Sequence, residues 1–274
     1  MAGLVSRVLV QSGPWGLEPQ DPDNAAEHAN AYLRLLAVPD GADVGEALRA
    51  VPVERLLSAY GELAVQLARP GNVAPRMYPV LGGAGVPRGA ASARGRRPGR
   101  QAAADRHHPD EMTAFLGFDP RIQSLTPEGA RHILSVQRGA QGPEVYQRYA
   151  DQLPHATPTQ ILTVVETGAF FRVGAPVIAD HHAAGGNATY VYQWDYSAAG
   201  EKHTLGAAHC GELPFLFGTF DTYPDGPMLG SFGDAERTLG HTFATAVAEF
   251  VTTGSVSDWL PYASGTAARI RRFG

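Results

Sequence analysis

Four kinds of residue in this chain could do acid–base or nucleophilic chemistry. His209 sits in Gly206-Ala207-Ala208-His209-Cys210-Gly211-Glu212, a run of small residues just ahead of the apolar Leu213-Pro214-Phe215-Leu216-Phe217. Small residues let backbone and substrate approach closely, and an apolar run anchors the loop. A histidine so presented suits a general base. Asp110-Glu111 offers a carboxylate, Cys210 a thiol beside the histidine, and Ser12 a hydroxyl at the end of an apolar segment. His107 and His108, with Asp110 and Glu111, offer metal ligands on paper. Adjacent histidines point apart on a strand, however, and the spacing fits no zinc motif, so no metal is expected. Cys210 reads as a small buried residue, because neighbours in sequence rarely orient for mutual attack.

The elements that must position these groups follow from patterning. Val5 to Gln11 is β-branched and apolar and reads as a buried strand ended by Ser12-Gly13-Pro14. Asp23 is expected to cap a helix carrying Ala26, Ala29, Leu33 and Leu36. Asp43 to Ala50 predicts a second helix, and Pro52 opens a third with Val53, Leu56, Leu57 and Tyr60. Further helices are predicted over 127–138, 143–153 and 158–183, the last interrupted at Gly168 and Pro176. His181-His182 is expected at an exposed helix end. Thr189 to Tyr196 alternates aromatic and polar residues as a strand does. Leu239 to Thr252 predicts an amphipathic helix, with Phe243, Val247, Phe250 and Val251 inward and Gly254 as C-cap.

Composition bounds the class. The 274 residues are 44% hydrophobic and 18% charged, with a net charge of -5. That suits a globular chain and gives no general case for a nucleic-acid or anionic-membrane partner. No apolar run reads as the roughly 20 residues of a membrane span. No signal peptide is visible, and a single cysteine excludes an internal disulfide framework. A cytoplasmic location is expected. Lys202 is the lone lysine among 22 basic residues, a bias that points to a GC-rich gene.

Residues 82–109 stand apart, with six Arg, seven Ala and six Gly and only Val86 among large aliphatics. With no periodicity and nothing to bury, the stretch reads as a low-complexity, basic, disordered linker. It lacks the interleaved aromatics of a single-strand binder, so no RNA contact is expected.

Acid before histidine, each in a loop, is the order of the second half of an α/β-hydrolase triad. Four stretches carry a closer resemblance. They are Ala2-Gly3-Leu4 through Val8-Leu9-Val10-Gln11-Ser12-Gly13-Pro14; Asp110-Glu111-Met112-Thr113-Ala114-Phe115; His209-Cys210-Gly211-Glu212-Leu213-Pro214-Phe215-Leu216-Phe217-Gly218; and Phe243 to Gly254 with Trp259-Leu260-Pro261-Tyr262. In this order they resemble the C-terminal half of a type-B carboxylesterase, the family of para-nitrobenzyl esterases and cholinesterases. The resemblance implies the C-terminal part of an α/β-hydrolase fold over residues 1–274, an incomplete, mostly parallel sheet flanked by helices.

It also implies roles. His209 would be the general base toward a nucleophilic serine, and Glu111 would fix its tautomer and stabilise the imidazolium. Asp110 would be a structural neighbour. The substrate would be a small-molecule carboxylic ester, with no cofactor. Phe215, Phe217 and Trp194 would lie near a pocket or, equally, in the core. The family's serine lies in a G-x-S-x-G elbow, and no such pattern occurs in the 274 residues. Ser12, Ser231, Ser255 and Ser264 have glycines nearby without the spacing. The nucleophile is therefore expected upstream of residue 1, and this chain alone is expected to be inactive. The alternatives are a non-catalytic binding or scaffold protein of the same fold, and one half of a split esterase whose N-terminal half is a separate chain.

In the family a strand precedes the acid. Here Asp105-Arg106-His107-His108-Pro109 stands there, which is what a Leu-Ile-Gly-Thr-Thr coding sequence yields when read out of frame. A pair of compensating frameshifts around 82–109 is the reading, and with it the loss of the strand that should position Glu111.

Overall fold

The computed structural model describes residues 5–69, 71–82, 102–107, 110–198, 205–224, 226, 228–263 and 269–274, with backbone only at 102–107. The chain divides into two compact units: Met1–Gly16 with Gly95–Gly274, and Leu17–Arg94.

The smaller unit holds α1 (Pro22–Leu35), α2 (Val44–Ala50) and α3 (Val53–Gln66). Proline occupies the first position of α1, where no N–H is needed. The cap is accordingly Asp21 and not the expected Asp23: the Asp21 carboxylate accepts from the N–H groups of Asp23 and Asn24. Asp43 caps α2 as expected, accepting from Glu46 N–H. The apolar stripe of α3 buries Ala59 and Leu63, and α1 packs on it, with the Tyr32 hydroxyl donating to Leu56 O at 2.9 Å.

The larger unit is built on a four-stranded parallel sheet in the order β1 (Arg7–Leu9), β2 (Ala102–His107), β3 (Thr189–Trp194), β4 (Ile270–Phe273). β2 corrects the sequence reading of 82–109. Residues 102–107 form a strand whose register runs Arg7↔Ala102 to Leu9↔Ala104 on one side and Ala103↔Thr189 to His107↔Gln193 on the other. Ladder bonding uses backbone groups alone, so a segment without an apolar pattern can still fill a slot between two strands. The rest of the 82–109 reading, apart from Gly82, lies outside the described residues.

The long connection from β2 to β3 contains α4 (Thr113–Leu116), α5 (Pro120–Gln123), α6 (Pro127–Arg138), α7 (Gly142–Gln152), α8 (Pro158–Thr167) and α9 (Gly174–Ala184). Thr157 and Gln160 form a reciprocal capping box at the start of α8. Between α8 and α9 the helical path widens into a π-turn, Gly168–Arg172, so the path Pro158–Ala184 runs 27 residues. By length and composition it could cross a membrane, where the sequence was expected to hold no such run. Its Ile161, Leu162, Val165, Phe171, Ala175 and Ala179 are buried within the protein, while Val173 and Val177 are exposed. The buried Glu166 of α8 pairs with Arg138 of α6 at 3.0 Å, and burial nevertheless pushes its carboxyl pKa up.

β3 has neighbours on both sides and is buried on both faces. Tyr190, Tyr192 and Trp194 face α11 (Asp234–Thr253), meeting Phe243 and Phe250, with α10 (Leu213–Phe217) contributing Phe215. Trp194 lies 4.8 Å from Phe215 and 5.0 Å from Phe243, centroid to centroid. Such tilted and edge-on pairs add to the area each ring buries. Trp194 and Phe215 are therefore core residues, whereas Phe217 is exposed. Gly254 ends α11 with a φ of +80°, the left-handed position glycine occupies at low cost. His182 corrects another expectation. It is buried, with Nδ1 2.7 Å from Thr189 Oγ1, because α9 packs against β3.

Candidate active site

Three segments that leave the carboxyl ends of β1, β2 and the β3 connection converge. Crevices outside the carboxyl ends of parallel strands are where such folds bind ligands. From β1 comes Gln11-Ser12, from β2 Asp110-Glu111, and from the connection after β3 the loop 205–212.

Glu111 is the centre. Its side chain is fully buried, and its two oxygens serve different partners. Oε2 lies 2.7 Å from His209 Nδ1. Oε1 accepts from the Ser12 hydroxyl at 2.6 Å. The next backbone N–H, that of Met112, donates to Oγ1 of the fully buried Thr167 at 3.1 Å, tying the acid loop to the end of α8. A buried carboxylate needs such partners, since an unpaired one costs far more than its bonds return. The expected loss of the strand that positions Glu111 does not occur: β2 is present ahead of the acid.

His209 is held from several sides. Phe115 and Phe171 lie against its ring at 5.0 and 5.5 Å. Its side chain keeps 25% exposure. Ala207 and Ala208 are buried, and Cys210 has a φ of +66°. Three residues on, the buried Glu212 accepts from Gln11 Nε2 at 3.0 Å, and Phe215 enters the core. The histidine loop is thus fixed at its far end to the same strand end that supplies Ser12. Burial disfavours the imidazolium, but a hydrogen bond accepted by the Cys210 sulfur, and then the bond and charge of Glu111, outweigh it. The His209 pKa rises from 6.5 to about 9. With Nδ1 committed to the carboxylate, Nε2 is the nitrogen left for proton transfer.

The acid and histidine loops also meet beside the pair. Asp110 N–H donates to Ala207 O at 3.2 Å, and Ala207 N–H donates to Asp110 Oδ2 at 3.2 Å. The Thr113 hydroxyl lies between the carbonyls of Asp110 and Leu205, within hydrogen-bond reach of each for its single proton. Burial pushes the Asp110 carboxyl up, against the Ala207 bond and the nearby Arg172 charge.

Ser12 is the residue that sequence reasoning missed. Its glycine spacing argues against a nucleophile and says nothing of a bond to the acid. Its hydroxyl donates to the acid, and it adopts a φ of +51°, outside the usual range for a side chain larger than glycine. The one local sign was its place at the abrupt end of an apolar strand. The thiol of Cys210 is half-buried and against the imidazole. His108 and the His107 side chain lie outside the described residues.

The carboxylesterase family profile matches residues 123–269, more than half of the chain. The chain belongs to the carboxylesterase family. Among curated proteins, this carboxylesterase-family chain is 26% identical over 277 residues to phenmedipham hydrolase of Pseudarthrobacter oxydans, covering 94% of this chain and 51% of that one. It is 28% identical over 263 residues to a probable N-octanoylanthranilate hydrolase of Rhodococcus erythropolis, covering 93% and 50%. Among solved structures, a PNB esterase superposes with a TM-score of 0.69 at 22% identity, covering 96% of this chain and 52% of that one. A Geobacillus stearothermophilus carboxylesterase does so with a TM-score of 0.68 at 26% identity, over the same shares. The fold is that of the α/β-hydrolases, and the chain spans about half the length of the relatives it matches.

Proposed function

We propose that this chain carries the acid–base half of a serine carboxylic ester hydrolase. Nε2 of His209 takes the proton from a serine hydroxyl as it attacks the ester carbonyl, then gives it to the departing alcohol. Glu111 holds the ring in the right tautomer through Nδ1 and stabilises the imidazolium between the two transfers. The observation that carries this reading is the 2.7 Å contact between His209 Nδ1 and a fully buried carboxylate, in a chain of this family.

Ser12 is not the nucleophile in this reading, because its hydroxyl donates to Glu111. With no G-x-S-x-G in the sequence, the serine comes from residues other than these 274. Loss of the serine in serine hydrolases costs on the order of a millionfold in kcat. The chain alone is therefore expected to turn over p-nitrophenyl butyrate at the buffer rate and to take no label from a fluorophosphonate.

The acid–base pair is tested on the full chain by following the His209 ring through a pH titration by NMR. Wild type is expected to titrate near pH 9, and Glu111→Gln to titrate lower, with the Cys210 side chain still acting on the ring. A midpoint unchanged by the substitution, or fluorophosphonate labelling of a serine in this chain, overturns the assignment.

A further inference from the structure

We propose that Asp110 is a positioning residue for the Glu111–His209 pair, its carboxylate holding the histidine loop in register by accepting the Ala207 N–H. This rests on reading Glu111 and His209 as an acid–base pair, but it concerns how the pair is kept together.

Two short segments are linked twice, at adjacent positions. Asp110 precedes Glu111 directly, and Ala207 lies two residues before His209. The first link is the reciprocal Asp110–Ala207 pair, backbone N–H to carbonyl in one direction and N–H to carboxylate in the other, both at 3.2 Å. The second is Glu111 Oε2 to His209 Nδ1 at 2.7 Å. Hydrogen bonds weaken steeply once the heavy atoms separate beyond about 3.2 Å or lose alignment. A slip of the histidine loop therefore strains both links together.

The fit between the two segments is close. Gly206 has a φ of +66°, and a Cβ there would lie 2.3 Å from Asp110 Oδ2, so the carboxylate is seated directly on the loop backbone. The Thr113 hydroxyl, one turn along, holds the Leu205 carbonyl just before this point. The loop between Leu205 and Glu212 contains no strand or helix to fix it by its own hydrogen bonding. Side-chain acceptance by Asp110 supplies what regular structure would otherwise provide. What the position needs is an acceptor oxygen at that distance, which an asparagine also offers and an alanine does not.

The test uses the full chain and needs no turnover. A histidine Nδ1 proton bonded to a carboxylate gives a far-downfield proton resonance, assigned by its loss in His209→Ala. Wild type and Asp110→Asn are expected to show it. Asp110→Ala is expected to lose it to solvent exchange while the amide spectrum of the sheet stays native. The Ala207 amide in Asp110→Ala is expected to exchange about tenfold to a hundredfold faster than in wild type, the range for a hydrogen bond to a charged group. A merely structural role would lower stability in Asp110→Ala but leave the resonance in the folded molecules. Persistence of the resonance in folded Asp110→Ala overturns the positioning role while leaving the acid–base reading intact. Its absence from wild type overturns the pair itself, and any positioning of it. Should Asp110→Ala fail to fold, wild type decides: an Ala207 amide that exchanges as fast as an unbonded one overturns the proposal.

Discussion

The two sides of the sheet's third strand are stabilised by different physics. Around Tyr190, Tyr192 and Trp194, rings from β3, α10, α11 and β4 pack against one another with little regard to direction. The buried Trp194 indole N–H even lacks a hydrogen-bond partner among the described residues. At the carboxyl ends of the strands the reverse holds. Glu111 is equally buried, yet each oxygen has a named partner at 2.6–2.7 Å. An aromatic cluster tolerates local imperfection because its attraction is summed over many weak contacts. A buried carboxylate does not, because each missing partner costs a large desolvation term. Stability should therefore be concentrated in the first region, and pH sensitivity in the second.

The largest effect should come from the aromatic side. Trp194→Ala is expected to lower unfolding stability by about 3–5 kcal/mol in a urea titration, as cavity-forming aromatic truncations do. Phe217→Ala, at an exposed ring of the neighbouring α10, should change it by less than about 0.5 kcal/mol. Comparable losses from the two would break the contrast.

The next effect belongs to the polar side. The folded His209 pKa of about 9 exceeds its ordinary 6.5, so the folded protein binds the proton more tightly than the unfolded chain. Its stabilisation is complete below pH 6.5 and is lost as pH rises through 9. It amounts to at most about 3–4 kcal/mol, a ceiling set by the size of the shift. Urea titrations across this range should show the decline in wild type and a flatter profile in His209→Gln. A stability that rises from pH 6.5 to 9 would contradict the assignment.

The smallest effect sharpens the role of Ser12. Ser12→Ala removes a donor from a buried carboxylate and is expected to cost about 1.5–3 kcal/mol. Ser12→Gly removes the same bond but relieves a φ of +51°, so it should be less destabilised by about 1 kcal/mol. Equal losses in the two would show that the backbone there is unstrained.

Much of this was legible from residue order. The strand at Thr189, the helix ending at Gly254 and the Pro-initiated helices are local patterns, written in 2- and 3.6-residue periods and cap chemistry. The histidine loop and Asp110-Glu111 identified the family because their residue types sit in a short, ordered motif. What failed were readings that needed to know a neighbour. Asp23 looked like a cap until Pro22 shifted the helix start to Asp21. His182 looked exposed because nothing in its own segment shows that β3 lies against it.

The sequence by itself determined most helices and the strand at Thr189, each a pattern within some ten residues, and four short stretches in order gave the family and the two residues of the proposed acid–base pair. Only the tertiary structure decided that residues 102–107 are a strand between β1 and β3. It alone decided that Ser12, 99 residues away, donates to Glu111, and that Asp110 meets Ala207 beside His209. Ladder pairing and hydrogen bonds to a buried carboxylate depend on groups that any residue, or any small hydroxyl, can offer. Their selection is made by proximity in space, which no local pattern encodes.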